Sequence, residues 1–161
     1  MNASTKKYLK LVGITIFLII LFFAYLDTLG LAMFATVGGY GSETHKTLEL
    51  EYLNLFWTFA YGMIIAVALM FYYFRRDKSE AIGIFAGTIL MLWSGLEDVI
   101  YYCMLGQPML DASMPWLMNT PLSLTSRILG YTTVTPIGLY LQLIIGTIIT
   151  YHVLKYLKNK L

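Results

Sequence analysis

Apolar residues fill four long stretches of the chain, and polar residues gather in the segments between them. The stretches run from about residue 8 to 34, 50 to 74, 81 to 105 and 136 to 157. Each is at least as long as the roughly 20 residues that an α-helix needs to cross a bilayer. No proline lies in the interior of any stretch. Because a backbone in hydrocarbon has no water to bond, we predict that every stretch is helical along its length.

These stretches predict an all-α fold, an integral membrane four-helix bundle that forms a single domain of residues 1 to 161. Composition supports this class, because 58% of the residues are hydrophobic and only 12% are charged, against about 25% charged in soluble domains. The single cysteine, Cys103, excludes an intrachain disulfide. The net charge of +2 is small. The lipid bilayer is therefore an expected partner, and nucleic acid is not.

Basic residues predict how the chain is oriented in the membrane. They form three clusters, before the first stretch, between the second and third, and at the end of the fourth: Lys6, Lys7, Lys10; Arg75, Arg76, Lys78; Lys155, Lys158, Lys160. The two opposite loops contain only Lys46 and Arg127. Cytoplasmic loops carry the excess of Lys and Arg. We therefore predict a multi-pass membrane protein with both termini in the cytoplasm.

The loop of about residues 106 to 135 is predicted to fold back as a cap over the outer side of the bundle. It carries only two charges, Asp111 and Arg127, and is rich in Leu and Met, whereas disordered loops are polar and charged. Within it, Thr120 suits a helix N-cap, Pro121 the first helical position and Gly130 the stop. We expect a short helix there, lying in the membrane interface.

Three acids interrupt the apolar stretches, Asp27 in the first and Glu97 and Asp98 in the third. Counting 1.5 Å per residue from the cytoplasmic ends, Asp27 and Glu97 both lie about 24 Å deep, in the outer third of the membrane. An acid near the bilayer centre costs roughly 2.5–3.5 kcal/mol. Aromatic and polar residues of the other stretches reach the same level. We predict a ligand-binding site formed by Asp27, Glu97, Asp98, Tyr101, Trp93, Arg127, Trp57, Tyr61 and Gln142.

The pattern leaves three interpretations of these acids open. They reach the interface and lock helix packing through tyrosine hydroxyls, they bind a cation, a proton or an amine-bearing ligand, or they pair with Arg127. The expected function is a small polytopic membrane protein whose acidic site, in the outer half of the bundle, binds a cation or a small lipid-soluble ligand. The alternative is a non-catalytic structural or accessory subunit of a larger membrane complex.

Catalytic chemistry is left undecided by the sequence. No Ser-His-Asp grouping, HExxH motif or glycine-rich phosphate loop is present. The sequence motifs therefore leave open whether the protein is an enzyme. A di-iron bundle would need Glu-x-x-His motifs, and the chain has none. His152 lies near the cytoplasmic end of the fourth stretch, far from the acids. We therefore predict neither a metal site nor a cofactor.

Overall fold

The computed structural model of the protein describes residues 3–37, 43–104 and 120–161. Helices form most of this part, which contains no strand, and the predicted all-α class is confirmed. In chain order the elements are α1 (Ala3–Val37), α2 (Glu43–Arg75), α3 (Lys78–Trp93), α4 (Leu96–Met104), a 3-10 turn (Pro121–Ser123), α5 (Leu124–Ile128) and α6 (Pro136–Lys160).

Three helical segments are long and apolar enough to cross a membrane. They are Ala3–Gly30 in α1, Asn54–Arg75 in α2 and Pro136–Lys160, which is α6. The α3 and α4 helices pass the same test only as a pair, bent by 65° at a short break. The described residues therefore contain three candidate spans, or four if the bent pair counts as one.

The break between α3 and α4 corrects the prediction of a single helix from residue 81 to 105. α3 ends at Trp93 and α4 begins at Leu96. Between them Gly95 has a φ of +82°, a left-handed conformation that glycine adopts without the steric cost that a Cβ brings. A glycine can therefore end a helix in an apolar stretch that contains no proline, and the hydropathy of the stretch does not reveal this.

The path of α6 explains why the break has this position. Gly146 lies directly against Ser94, and a Cβ at residue 146 would overlap the Ser94 side chain. A Cβ at Gly95 would likewise overlap Leu139. In addition, the Gln142 side-chain amide donates a hydrogen bond of 2.8 Å to the carbonyl oxygen of Trp93, one of the last carbonyls of α3, which a helix end leaves without its own partner. α6 thus both approaches and satisfies the broken backbone.

One face of α1 forms the centre of the hydrophobic core. Its buried side chains recur every three or four residues, as one face of a helix requires: Tyr8, Val12, Ile16, Ile19, Ile20 and Phe23. They pack with buried residues of α2 and α3, among them Phe56, Ala60, Ile64, Ile84 and Met91. α1 contacts α2, α3, α4 and α6. α1 therefore also runs beside α4, which carries Glu97 and Asp98.

The short helix predicted between Thr120 and Gly130 is present as the 3-10 turn followed by α5, while its predicted place at the membrane interface stays a prediction. The Thr120 hydroxyl accepts a hydrogen bond of 3.3 Å from the Leu122 amide, and Gly130 ends the segment with a φ of +80°. The segment packs on the rest of the chain through a small cluster with residues of α4 and α6: Leu122, Val134, Leu139, Val99 and Tyr102. The earlier part of the predicted cap, and the end of the third predicted span, fall in residues 105–119, outside the described residues.

Candidate functional site

The break places Glu97 and Asp98 in the first turn of α4 rather than in the middle of a long helix. The amide groups of a helix N-terminus carry partial positive charge, and an acid there gains about 0.3–1 kcal/mol when exposed and up to about 2 kcal/mol when partly buried. Two neighbouring acids in an apolar stretch therefore receive partial compensation from the backbone itself. This compensation exists only because α3 stops at Trp93.

Glu97 has the smallest exposed fraction of the three acids. Its exposed fraction is 6%, and its Oε1 atom has no hydrogen-bond partner within the part of the chain that the structure describes. A buried acceptor without a partner costs about 1–3 kcal/mol, and more if it is charged. Asp98, the next residue, is only partly buried. Glu97 is therefore the acid with an unmet requirement for a donor.

Asp27 on α1 completes a cluster of three carboxyl groups. The carboxyl group of Glu97 lies close enough to those of Asp27 and Asp98 to interact electrostatically with both. The hydroxyl of Tyr52 on α2 lies 3.3 Å from Asp27 Oδ1 and 3.3 Å from the Leu26 carbonyl oxygen, so it can donate to either acceptor. Three elements, α1, α2 and α4, thus bring their polar groups to one place.

Tyr52 is not among the site residues predicted from the sequence, which in the second stretch are Trp57 and Tyr61. Counting residues along a helix locates its Cα atoms, whereas the long tyrosine side chain reaches beyond the level of its own Cα. The helical repeat contained the signal, because Tyr52, Phe56 and Ala60 recur at four-residue intervals on one face. Phe56 and Ala60 are buried core residues, and the Tyr52 ring packs against Phe56 with centroids 5.8 Å apart.

The aromatic residues predicted for the site are divided in the structure. Tyr101 is partly buried and interacts electrostatically with the Tyr52 phenol. The Trp57 ring packs against Phe56 and Tyr61, with centroids 5.5 Å and 6.0 Å away. Trp93 has half of its surface exposed. Tyr101 therefore adjoins the acids through Tyr52, while Trp93 presents its ring outward.

Arg127, predicted as a site residue and as a candidate partner of the acids, is exposed on α5. The ion pairs found among residues 3–37, 43–104 and 120–161 join Arg75 to Glu80 and Lys158 to Asp77. Neither pair includes Asp27, Glu97 or Asp98. Within these residues the positive charge that would balance the acidic cluster is not supplied by an ion pair of the chain.

Gln142 serves the backbone around the site. Its Nε2 donates to the carbonyl oxygens of Trp93 and Pro121, both at 2.8 Å. Its Oε1 accepts from the Thr125 amide at 3.3 Å. The Thr125 hydroxyl lies 3.1 Å from the same oxygen, but its single proton can go instead to the Gly138 carbonyl oxygen, 2.5 Å away. A side-chain amide has two N–H donors and two lone pairs, so both donors and at least one acceptor position of Gln142 are used. Gln142 therefore connects the helix break to the 3-10 turn and α5, and it has no N–H donor left for a ligand.

A second polar cluster lies at the other end of α3, where the three basic clusters meet. Asp77 Oδ1 accepts from the amides of Ser79 and Glu80 at 2.9 and 3.2 Å, and Lys158 Nζ lies 3.1 Å from Oδ2. Burial alone would raise the pKa of Asp77, but hydrogen bonds from Ser79 and Lys158 outweigh it and lower this pKa to about 2. The Tyr8 hydroxyl donates to the Ser79 carbonyl oxygen at 2.9 Å.

The chemistry open to the acidic cluster is that of carboxyl groups without a metal cage. No three His, Cys, Asp or Glu side chains among the described residues lie in an arrangement that could hold a metal ion. Carboxyl oxygens can still accept hydrogen bonds from a cationic donor, neutralise its charge or exchange a proton with it. Comparison with known proteins does not narrow this chemistry, because no family model, no curated protein and no solved structure matches this chain.

Proposed function

We propose that the chain is an integral membrane protein in which α1, α2, the α3–α4 pair and α6 form a four-helix bundle, capped on its outer side by the 3-10 turn and α5. The outer surface of the helices supports this proposal. Only 22–33% of the apolar window of each candidate span is buried inside the chain, and large side chains such as Leu55, Leu69 and Phe74 are exposed. Apolar surface of this extent is stable against lipid tails or other apolar partners.

The proposed orientation places both termini and the Arg75–Arg76 turn in the cytoplasm. This orientation is supported by the positions of the three basic clusters, which lie close to one another in the structure. Tyr8 bonds to Ser79 and Lys158 pairs with Asp77, so the starts of α1 and α3 and the end of α6 lie together. One end of the bundle therefore carries most of the basic residues, as the cytoplasmic side of a membrane protein does.

We further propose that the acidic cluster binds a small lipid-soluble ligand that carries one positive charge, most simply a protonated amine. The observation that carries this function is the buried Oε1 of Glu97, which has no hydrogen-bond partner among the described residues and lies beside two further carboxyl groups. An ammonium group offers N–H donors and a positive charge at once. Its apolar body would contact Tyr52 and Tyr101. In residues 3–37, 43–104 and 120–161 no three side chains converge as a bound metal ion would need.

The test uses two probes of the same shape, 4-phenylbutylamine and the neutral 4-phenylbutanol, with the purified protein in phosphatidylcholine nanodiscs. A ligand present at 100 times its Kd stabilises the folded protein by about 2.7 kcal/mol. The amine should therefore raise the unfolding temperature of the wild type by several degrees, and the alcohol should not. Glu97→Gln keeps the shape and removes the charge, so the shift should disappear.

Glu51→Gln is the matched control, because Glu51 is an exposed acid on α2 and its loss should leave the amine response intact. A shift of equal size with the alcohol, or one that persists in Glu97→Gln, would show that the acids only lock helix packing and do not bind a cation.

A second candidate function, a non-catalytic subunit of a larger membrane complex, is favoured by the small buried share of α2. Only 22% of its apolar window is covered by the chain itself, which leaves surface for other subunits. Mass photometry of the protein extracted into polymer nanodiscs from its own membranes separates the two. A particle of the mass of one chain and its lipid supports the ligand site, whereas a much larger particle supports the subunit.

A further inference from the structure

An open groove of about 490 Å³ lies between α2 and α3, in the half of the molecule opposite the acidic cluster. This volume falls within the range of about 300–1,000 Å³ typical of small-molecule sites. Its lining includes Ile65, Leu69, Tyr72, Lys78, Ile82 and Phe85. Several of these side chains are exposed, so the groove opens on the outside of the helices and not into the core.

The charges at one end of this groove are unevenly balanced. Arg75 pairs with Glu80, and Lys158 pairs with Asp77. These two pairs account for both acids of the turn and leave Arg76 and Lys78 without an ion-pair partner among the described residues. Lys78 lines the groove itself, and Arg76 is two residues before it. The apolar groove thus ends at Lys78, and the second of these cations, Arg76, has its guanidinium 5.1 Å from the centre of the Tyr73 ring.

We propose that this groove binds an anionic phospholipid of the cytoplasmic leaflet, with an acyl chain between α2 and α3 and the headgroup phosphate at Lys78 and Arg76. Basic pockets between membrane-spanning helices on the cytoplasmic side bind lipid headgroups of this kind. Asp77 does not repel the phosphate, because its carboxylate caps α3 and is neutralised by Lys158. The inference needs the proposed membrane insertion and orientation, and it is independent of the acidic site.

Native mass spectrometry of the delipidated protein, titrated with phosphatidylglycerol and with phosphatidylcholine of the same acyl chains, tests this site. Phosphatidylglycerol should bind more tightly. Each basic residue near an anionic headgroup contributes about five-fold in affinity, so Lys78→Gln and Arg76→Gln should each weaken phosphatidylglycerol binding by about that factor. Phosphatidylcholine binding should stay unchanged in both. Lys155→Gln removes an exposed lysine of α6 at the same end of the molecule and should leave both affinities unchanged.

The apolar half of the site has its own variant. Ile82→Trp fills the groove at an exposed position, where the larger ring can be accommodated, and should reduce phosphatidylglycerol binding although Lys78 is intact. Equal affinity of the wild type for the two lipids, an equal loss in Lys155→Gln, or full binding in Ile82→Trp would each overturn the proposal. Glu97→Gln should not alter lipid affinity. Failure of the lipid-binding test would therefore not count against the amine site, and failure of the amine test would not count against the lipid site.

Discussion

Asp77 and Glu97 are acids near opposite ends of the same apolar stretch, and each lies at the beginning of a helix. Asp77 is the N-cap of α3, where it accepts three hydrogen bonds through Oδ1 and pairs with Lys158 through Oδ2. Glu97 lies in the first turn of α4, where its Oε1 has no partner in the described part of the chain. Its charged neighbours are acids. Both oxygens of the Asp77 carboxyl group thus have partners, whereas one oxygen of the Glu97 carboxyl group has none among the described residues.

This contrast separates a structural acid from a candidate functional one. A carboxylate whose oxygens are all bonded lowers the free energy of the folded state and gains nothing from a ligand. A buried oxygen without a partner raises that free energy, and a ligand that supplies the missing donor recovers the loss. Proximity to a helix N-terminus is common to both acids, so it does not by itself indicate binding. The partners decide.

The largest expected effect concerns Gln142, which supports the backbone of the acidic end. Gln142→Leu removes the hydrogen bonds to the Trp93 and Pro121 carbonyl oxygens and to the Thr125 amide. Partners left unsatisfied and buried cost about 1–3 kcal/mol each, and the two carbonyl contacts are partly buried. We expect a loss of about 3 kcal/mol or more in the free energy of unfolding, measured by chemical denaturation in detergent. Amide exchange around residues 93–96 and 121–125 should accelerate.

Thr147→Val is the control for this change on the same helix. Thr147 is exposed, and its hydroxyl bonds only to the carbonyl oxygen of Leu143 in its own helix, so its loss should change stability by no more than about 0.5 kcal/mol. If Gln142→Leu were as stable as Thr147→Val, the helix break would be held by something other than this amide.

An intermediate effect is expected at the basic end when the pH falls. The pKa of Asp77 is lowered to about 2 in the folded protein, and an unfolded aspartate has a pKa of about 3.9. Its stabilising contribution is therefore present above about pH 4 and is lost as the pH falls towards 2. Since the side chain is partly exposed, solvent screening limits the contribution to roughly 1 kcal/mol.

Comparison with Asp77→Asn isolates this contribution, because the amide cannot titrate. The wild type should lose roughly 1 kcal/mol more than Asp77→Asn between pH 4 and pH 2, measured by denaturation at each pH. Parallel pH profiles of the two proteins would mean that the ionised Asp77 carboxylate, with its hydrogen bonds and its Lys158 pair together, adds no stability over a neutral side chain.

The smallest effect on stability is expected for Glu97→Gln. The amide keeps the size of the side chain, removes one charge from beside Asp27 and Asp98, and offers N–H donors to their carboxyl groups. We expect the free energy of unfolding to change by less than about 1 kcal/mol, with an increase more consistent with the geometry than a decrease. A loss of several kcal/mol would mean that Glu97 has a structural partner after all.

Local sequence signals were sufficient for the class of the fold and for the cap helix. A run of more than 20 apolar residues can satisfy its backbone in lipid only as a helix, so the approximate positions of α1, α2 and α6 follow from composition alone. Thr120, Pro121 and Gly130 act within one or two helical turns, and the 3-10 turn and α5 appear between them. The acids themselves were conspicuous because they are rare in such stretches.

Only the tertiary structure decided where the third stretch breaks and how the acids are partnered. Gly95 could have continued a helix, and the contacts that accompany the break come from Leu139, Gln142 and Gly146, more than 40 residues away in the sequence. Hydropathy and helical period describe one segment at a time, whereas a hydrogen bond or a steric overlap depends on which segment lies opposite. For the same reason Gln142, a polar residue at the expected depth, forms its hydrogen bonds with backbone groups. Tyr52, which residue counting places at a different level, reaches Asp27 through its long side chain.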